Sequence, residues 1–581
     1  MTLDDDELRR RAETWLADDP DPETVSELQG LLARDAKGEL RERFGASLTF
    51  GTAGLRGVLG AGPNRMNRAV VRRVTAGLAR YLLAHVPDAA RRGVVVGRDA
   101  RRWSDVFAQD AAGVLAAHGI LAHVFDGVVP TPVCAFAVTQ LDAAAGVMVT
   151  ASHNPPEYNG YKVYWGNGAQ IVPPHELGIS GEIERVGPAR DVPLLARAEA
   201  EAKGRYRAIR SNLGQQYLDA IDGLRLVPQG DATLSLVYTA LHGVGGHWAE
   251  TALRRAGYSR LACVADQHQP DGAFPTVRFP NPEEPGALDL ARGLAESLKA
   301  DVVLANDPDA DRLAVMARDG AGALRMLSGN ELGVLLGHYL LTARRVSAKK
   351  PLVITTVVSS TQLRSIAHAL NAEYEETLTG FKWIANQAIA RERDAGAHFL
   401  FGYEEALGYC VGSVVRDKDG LSAALLAAEL AAVCRATGET LLGRLERLQR
   451  EFGLSVGRQH NVTHAGVSGA QHIAAWMNAL RGSPPEAVGT RRVTEFIDYQ
   501  TGERLPPTNM LVFALGEGTR VIVRPSGTEP KVKFYFELRE GVAASETVSE
   551  ARRRAESGLD ELVQDFLDIA SEREKHVRQT Q

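Results

Sequence analysis

Three times along this chain an apolar, β-prone run ends in a loop crowded with polar side chains, and helical stretches separate the runs. Strands alternating with helices imply a mostly parallel sheet with helices packed on it. Such sheets place ligands just beyond the carboxyl ends of their strands. At 581 residues the chain is too long for one core, and domain sizes of about 100–200 residues imply three to five domains. The expected fold is therefore α/β: three similar α/β domains with mixed, mostly parallel sheets.

The first domain is expected over residues 49–210. It holds strands at 93–97 and 121–125, with Ser104 capping the helix between them. A third strand, at 146–149, runs into Thr150-Ala151-Ser152-His153-Asn154-Pro155. The second domain, residues 211–324, has a strand at 301–305 that leads into Asn306-Asp307-Pro308-Asp309-Ala310-Asp311-Arg312. The third, residues 325–456, has strands at 352–358, 374–377 and 398–401. The last of these runs into Gly402-Tyr403-Glu404-Glu405-Ala406. Residues 1–48 read as a helical N-terminal extension. From 457 to 581 strands predominate, between helices at 470–481 and 546–572, which is the pattern of a smaller C-terminal α+β domain.

The acidic loop is the most informative of these stretches. Asp307, Asp309 and Asp311, at alternate positions after an apolar strand, repel one another unless a cation sits among them. Hard oxygen ligands of this kind suit Mg²⁺, which keeps waters and shares a phosphate oxygen. Ser152 sits past a strand end and Lys162 lies on the next strand, where it can face the serine. Arg56 lies in a Gly-rich loop, where backbone can approach a ligand and a guanidinium can fork onto phosphate. Glu404 and Glu405 can accept hydrogen bonds from neighbouring sugar hydroxyls. The segment Arg524-Pro525-Ser526-Gly527-Thr528-Glu529-Pro530-Lys531 collects a guanidinium, two hydroxyls, a Gly backbone and an ammonium, a set suited to a phosphate dianion.

Composition narrows the class. A net charge of −6 gives no global signal for nucleic acid or membrane, so an anionic substrate must be met by local cations. Cys134, Cys263, Cys410 and Cys434 form no CxxC pair and read as small buried residues of a reducing compartment. The acidic start, Met1-Thr2-Leu3-Asp4-Asp5-Asp6, is unlike a signal peptide. A cytoplasmic protein that binds neither membrane nor nucleic acid is expected, as a monomer or small homo-oligomer.

With these four loops in this order, residues 50–530 resemble the α-D-phosphohexomutases, the phosphoglucomutase and phosphomannomutase family. The resemblance implies four domains around a central cleft, with Ser152 as the phosphorylated residue and Asp307, Asp309 and Asp311 as Mg²⁺ ligands beside its phosphate. It places Glu404 and Glu405 in sugar recognition, and Arg524, Ser526, Gly527 and Thr528 in phosphate binding. Arg56, Lys162 and Lys382 match positions near the reacting groups. His153 or Lys162 would move the hydroxyl proton, with Lys382 opposite, while Arg312 and Lys531 would touch substrate. The implied reaction interconverts a sugar 1-phosphate and 6-phosphate, glucose foremost, through a phosphoserine and a sugar 1,6-bisphosphate that also serves as activator. Ala406 stands where many hexose mutases carry a serine, and with Tyr409 and residues 416–420 it looks more like the phosphopentomutase-containing branch. Pentose and mannose phosphates therefore stay open as substrates, as do a metal-dependent phosphatase and a non-catalytic sugar-phosphate sensor.

Overall fold

In the computed structural model, which describes residues 4–51, 54–343, 349–463, 469–526 and 531–580, four main sheets follow one another along the chain. The first has six strands in the order Gly54–Val58, Tyr158–Trp165, Ala145–Val149, Val94–Arg98, Ala122–Phe125, Tyr206–Ile209. The last four run parallel, and Tyr158–Trp165 is antiparallel to both of its neighbours. Val94, Val95 and Val96 are fully buried. A parallel strand covered on both faces calls for such a run of β-branched residues.

The second sheet orders Leu324–Met326, Leu313–Arg318, Val302–Asn306, Leu236–Thr239 and Leu261–Cys263. The third orders Glu373–Thr377, Pro351–Thr356, His398–Glu404 and Gly408–Val411. These sheets repeat one device. In each of the three, a parallel strand turns back through a loop into an antiparallel neighbour: Ala145–Val149 into Tyr158–Trp165, Val302–Asn306 into Leu313–Arg318, His398–Glu404 into Gly408–Val411. Those loops are the three singled out by the sequence. Each also holds one non-glycine residue at positive φ: Ser152 at 53°, Ala310 at 57° and Leu407 at 61°. Left-handed backbone costs such residues about 1–2 kcal/mol, so the surrounding contacts must hold each loop in shape.

The fourth sheet is wholly antiparallel, Leu454–Thr463, Lys531–Glu540, Arg520–Pro525, Leu511–Ala514 and Glu495–Asp498. The helices Gly469–Gly482 and Val548–Thr580 pack on it through its own core, which includes Trp476, Phe513, Phe534 and Phe566. A different, continuous core runs under the first three sheets, from Val95 through Tyr238 and Val315 to Phe401 and Leu448. The N-terminal helices Asp5–Asp18, Pro22–Ala33 and Lys37–Phe44 bury Leu8, Trp15, Leu28 and Phe44 against Ala61 and Ala69 of the first unit.

Two local expectations change. Ser104 is the first residue of its helix, not the cap, and its hydroxyl donates to Asp99 Oδ1 at 2.6 Å. The strand Leu454–Thr463 begins ahead of residue 457, because its alternating buried residues Leu454 and Val456 already belong to the fourth sheet. No single helix among the described residues is long and apolar enough to cross a membrane.

Candidate active site

The three loops meet. Ser152 Oγ donates to Asp307 Oδ2 at 2.9 Å and lies 3.2 Å from His153 Nδ1. The serine is 6% exposed. Its N–H donates to Thr150 Oγ1 at 2.9 Å, which helps hold the left-handed turn. Lys162, on the returning strand, donates to Asp309 Oδ2 at 2.7 Å and Asp311 Oδ2 at 3.0 Å. Lys418, from the third unit, reaches Asp311 Oδ2 at 3.2 Å. Backbone stitches the second loop to the third: Leu313 N–H donates to the Leu407 carbonyl at 3.0 Å, beside a bridge between Arg312 and Gly408.

The acidic cluster fits a divalent cation. Asp307, Asp309 and Asp311 are buried, and one oxygen from each lies within 4.8 Å of the others. Asp309 Oδ1 and Asp311 Oδ1 are buried without a hydrogen-bond partner. Burial, then the neighbouring Asp309 and Asp311, hold the Asp307 carboxyl well above the usual carboxylate range. Three packed carboxylates with orphaned oxygens need positive charge, and a hard cation supplies it with oxygen-only ligands.

The flanking cations are fixed by this field. Burial opposes charge on Lys162, but Asp309 and Asp311 outweigh it and raise its pKa. For Asp311, Lys162, Lys418 and Arg312 overcome burial and lower it. Arg312 donates its N–H to Asp307 Oδ1 at 3.0 Å. Its guanidinium lies 3.9 Å from Glu283 Oε2. Burial, with the charges of Arg312 and Arg56, holds His153 well below the usual histidine range, so its imidazole is neutral. Arg56 is exposed on the strand paired with Tyr158–Trp165, opposite Gly160. Gly54, two residues earlier, has φ 139°, and a Cβ there would lie 1.8 Å from the Tyr161 carbonyl oxygen, so the strand can start only with glycine.

In the third loop Glu405 Oε2 accepts from Ser359 Oγ at 3.0 Å and Thr356 Oγ1 at 3.2 Å. Glu404 Oε2 is buried without a partner. Burial pushes the Glu404 carboxyl up to about 6, against the pull of Lys418. Tyr535 on the fourth sheet sits in the field of Arg524, Glu405 and Glu404 together, which brings that sheet to the sugar loop. A cavity of about 670 Å³ opens beside Glu405, bounded by Glu283, Ser360, Arg458 and Tyr535. Ligand sites commonly fall in this size range. Ser526 N–H donates to the Lys531 carbonyl at 2.8 Å, closing the base of the fourth loop. Gly527 and Thr528 lie outside the described residues. Lys382 donates to Glu176 Oε2 at 3.1 Å and is 5% exposed, so it bridges the first and third units.

Three participants were not singled out by the sequence. Arg101 lies just past the strand Val94–Arg98. It donates to the carbonyls of Ser152 (2.5 Å), Asn154 (2.6 Å), Pro155 (2.8 Å) and Tyr158 (3.2 Å). The whole serine loop thus hangs on one guanidinium fork. Thr131 donates to Asp309 Oδ2. Lys418 falls within residues 416–420, noted only as a pattern. For Arg101 the available signal was a cation at a strand's carboxyl end.

Four successive stretches match one family. Residues 47–190, 215–320 and 328–451 match the phosphoglucomutase/phosphomannomutase alpha/beta/alpha domains I, II and III, and residues 484–554 match its C-terminal domain. The chain belongs to the phosphoglucomutase/phosphomannomutase family. This mutase is 42% identical over 478 residues to the probable phosphomannomutase of Haemophilus influenzae, covering 82% of this chain and 93% of that protein. To the human phosphopentomutase it is 37% identical over 573 residues, 92% of each. Its fold is that of the phosphoglucomutase/phosphomannomutase family protein from Burkholderia thailandensis, with a TM-score of 0.68 at 21% identity over 90% of this chain and 97% of that one. Members of the family are phosphotransferase isomerases, and this chain is an enzyme of that kind.

Proposed function

We propose that this mutase interconverts the 1-phosphate and 6-phosphate of a sugar, glucose foremost, through phospho-Ser152 and a sugar 1,6-bisphosphate. The observation that carries the reading is Ser152 Oγ bonded to Asp307 inside the acidic cluster. In the first half-reaction the P–O bond to Ser152 breaks and a P–O bond to the sugar hydroxyl forms. The hydroxyl proton passes to His153, which is neutral. Lys162, held as an ammonium by Asp309 and Asp311, must first give up its own proton to take that role. In the second, the sugar turns round and its other phosphate returns to Ser152. Asp307, Asp309 and Asp311 would hold Mg²⁺ beside Ser152, and bound there it would offset charge building on the transferring group. Arg56 faces the same charge from the opposite strand. Glu404 and Glu405 accept from sugar hydroxyls, Arg524, Ser526, Gly527, Thr528 and Lys531 hold the phosphate that is not reacting, and Arg312, whose guanidinium lies 3.9 Å from Glu283 Oε2, touches substrate. Lys382 must leave Glu176 to serve as a base on the far side. A sugar bisphosphate phosphorylates Ser152 for the first turnover.

A pentose reading is favoured by Ala406, where many hexose mutases carry a serine, and the 37% identical human relative is a phosphopentomutase. One lost hydroxyl donor weakens discrimination by ring substituents. The deciding experiment supplies phosphate-labelled glucose 1-phosphate, mannose 1-phosphate and ribose 1-phosphate and follows the label. Label on Ser152 and in a bisphosphate supports the mutase, and the sugar with the highest kcat/KM is its substrate. Release of inorganic phosphate without a bisphosphate would make it a phosphatase, and binding without turnover a sensor.

A further inference from the structure

The fourth sheet grips the third unit through a buried ionic knot that ends on the sugar loop. Arg520 and Glu537 are adjacent on paired strands and 7% and 8% exposed. Arg520 Nε donates to Glu537 Oε2 at 3.0 Å, and its NH2 group donates to the Ser359 carbonyl at 2.6 Å. Glu537 Oε1 accepts from Ser360 Oγ (2.8 Å), Thr361 N–H (2.7 Å) and Ser455 Oγ (2.9 Å). The turn that follows strand Pro351–Thr356 is therefore clasped by the fourth sheet. Its Ser359 hydroxyl in turn donates to Glu405 Oε2.

Buried charge of this density is costly and stabilises little over an apolar contact of equal shape. What it does fix is position. Arg520 lies four residues before Arg524 on the same strand, Arg520–Pro525. The clasp thus ties the strand that carries the phosphate-holding loop to the carboxylate that meets the sugar hydroxyls. We infer that Arg520, Glu537 and Ser359 act as a spacer that fixes the distance between Arg524, on the same strand as Arg520, and Glu405, and so selects sugar phosphates by length. They are positioning residues and touch no substrate. The inference rests on the mutase reading above.

Two variants test it. Ser359→Ala removes the clasped turn's own bond to Glu405 and leaves both the clasp and the Thr356 bond to Glu405 in place. Arg520→Met with Glu537→Met removes the ions as a pair, so no buried charge is left alone. The measurements are kcat and KM on ribose 1-phosphate and glucose 1-phosphate, with phospho-Ser152 quantified by mass spectrometry after incubation with glucose 1,6-bisphosphate. The expected result is a fall of about 10-fold in the kcat/KM ratio between the better and the poorer sugar. It comes from KM, with phospho-Ser152 at wild-type level. An equal loss on both sugars, or no change, with normal phospho-Ser152 overturns the spacer and leaves the mutase reading standing. Absence of phospho-Ser152 in the wild type itself would remove the mutase reading instead. If the double variant does not fold, Ser359→Ala decides alone.

Discussion

Thr131 donates its hydroxyl to Asp309 Oδ2 at 2.7 Å and its backbone N–H to the Asp309 carbonyl at 2.9 Å. One residue of the first unit thus orients a carboxylate of the second unit's acidic cluster, across 178 positions of sequence. Partners of this kind, which orient metal ligands, matter to affinity by about 10–100-fold. Thr131→Val is expected to raise the Mg²⁺ concentration needed for half-maximal rate by that factor, with kcat recovering at saturating Mg²⁺. A titration of rate against Mg²⁺ checks it, and an unchanged midpoint would count against Asp309 as a ligand.

Ser152→Ala removes the only atom proposed to carry the phosphoryl group. Turnover should fall by on the order of 10³-fold or more, while sugar phosphate binding by calorimetry stays within about threefold. Retained turnover would end the phosphoserine assignment.

Arg101→Met takes four carbonyl oxygens away from their common donor. A serine loop misplaced by an ångström should cost about 10²-fold in kcat, with KM for the sugar nearly unchanged. Stability also falls, since Asp99 loses the guanidinium 3.3 Å away while fully buried. Arg101→Lys should not restore the rate, because an ammonium lacks the planar fork.

His338 supplies a pH test of stability. It is 8% exposed, and burial, with Arg444 and Arg447 nearby, lowers its pKa to about 4. In the unfolded chain a histidine takes up its proton near about 6.5. Between those values the unfolded state binds more protons, so stability is lost as pH falls through the window, by at most about 1.4 kcal/mol per pH unit. Above it His338 contributes nothing, and below about 4 the loss stops growing. In His338→Gln the denaturation midpoint should depend less on pH between 6.5 and 4 and run parallel to wild type above pH 7. Parallel curves throughout would show that His338 takes up its proton in the folded state.

Much of this was legible in the sequence because the three reversing loops follow strands buried along all or most of their length, whose mainly apolar composition leaves little choice of assignment. The spacing of Asp307, Asp309 and Asp311 implies one acidic cluster, and the three do converge with Ser152 beside them. Thr131 and Lys418 were not legible, since each acts across a boundary between units. Arg101 was not because its carbonyl partners lie more than fifty residues on within its own unit, where no local pattern reports them. The strand Leu454–Thr463 was missed for another reason: beyond Val456 most of its side chains face solvent, so no apolar alternation marks it. The β-prone run 492–499 suggests a single strand, whereas Arg491–Arg492 and Glu495–Asp498 are two, paired to different partners.

One oily foundation lies beneath the first three sheets and the fourth keeps a foundation of its own. A seam of Val357, Val358, Leu378, Met510 and Tyr535 joins it to the third unit, so the C-terminal unit is a cassette that must travel with its seam. Exchanged between relatives together with the turn at Ser359, it would carry a new phosphate grip onto an unchanged catalytic floor.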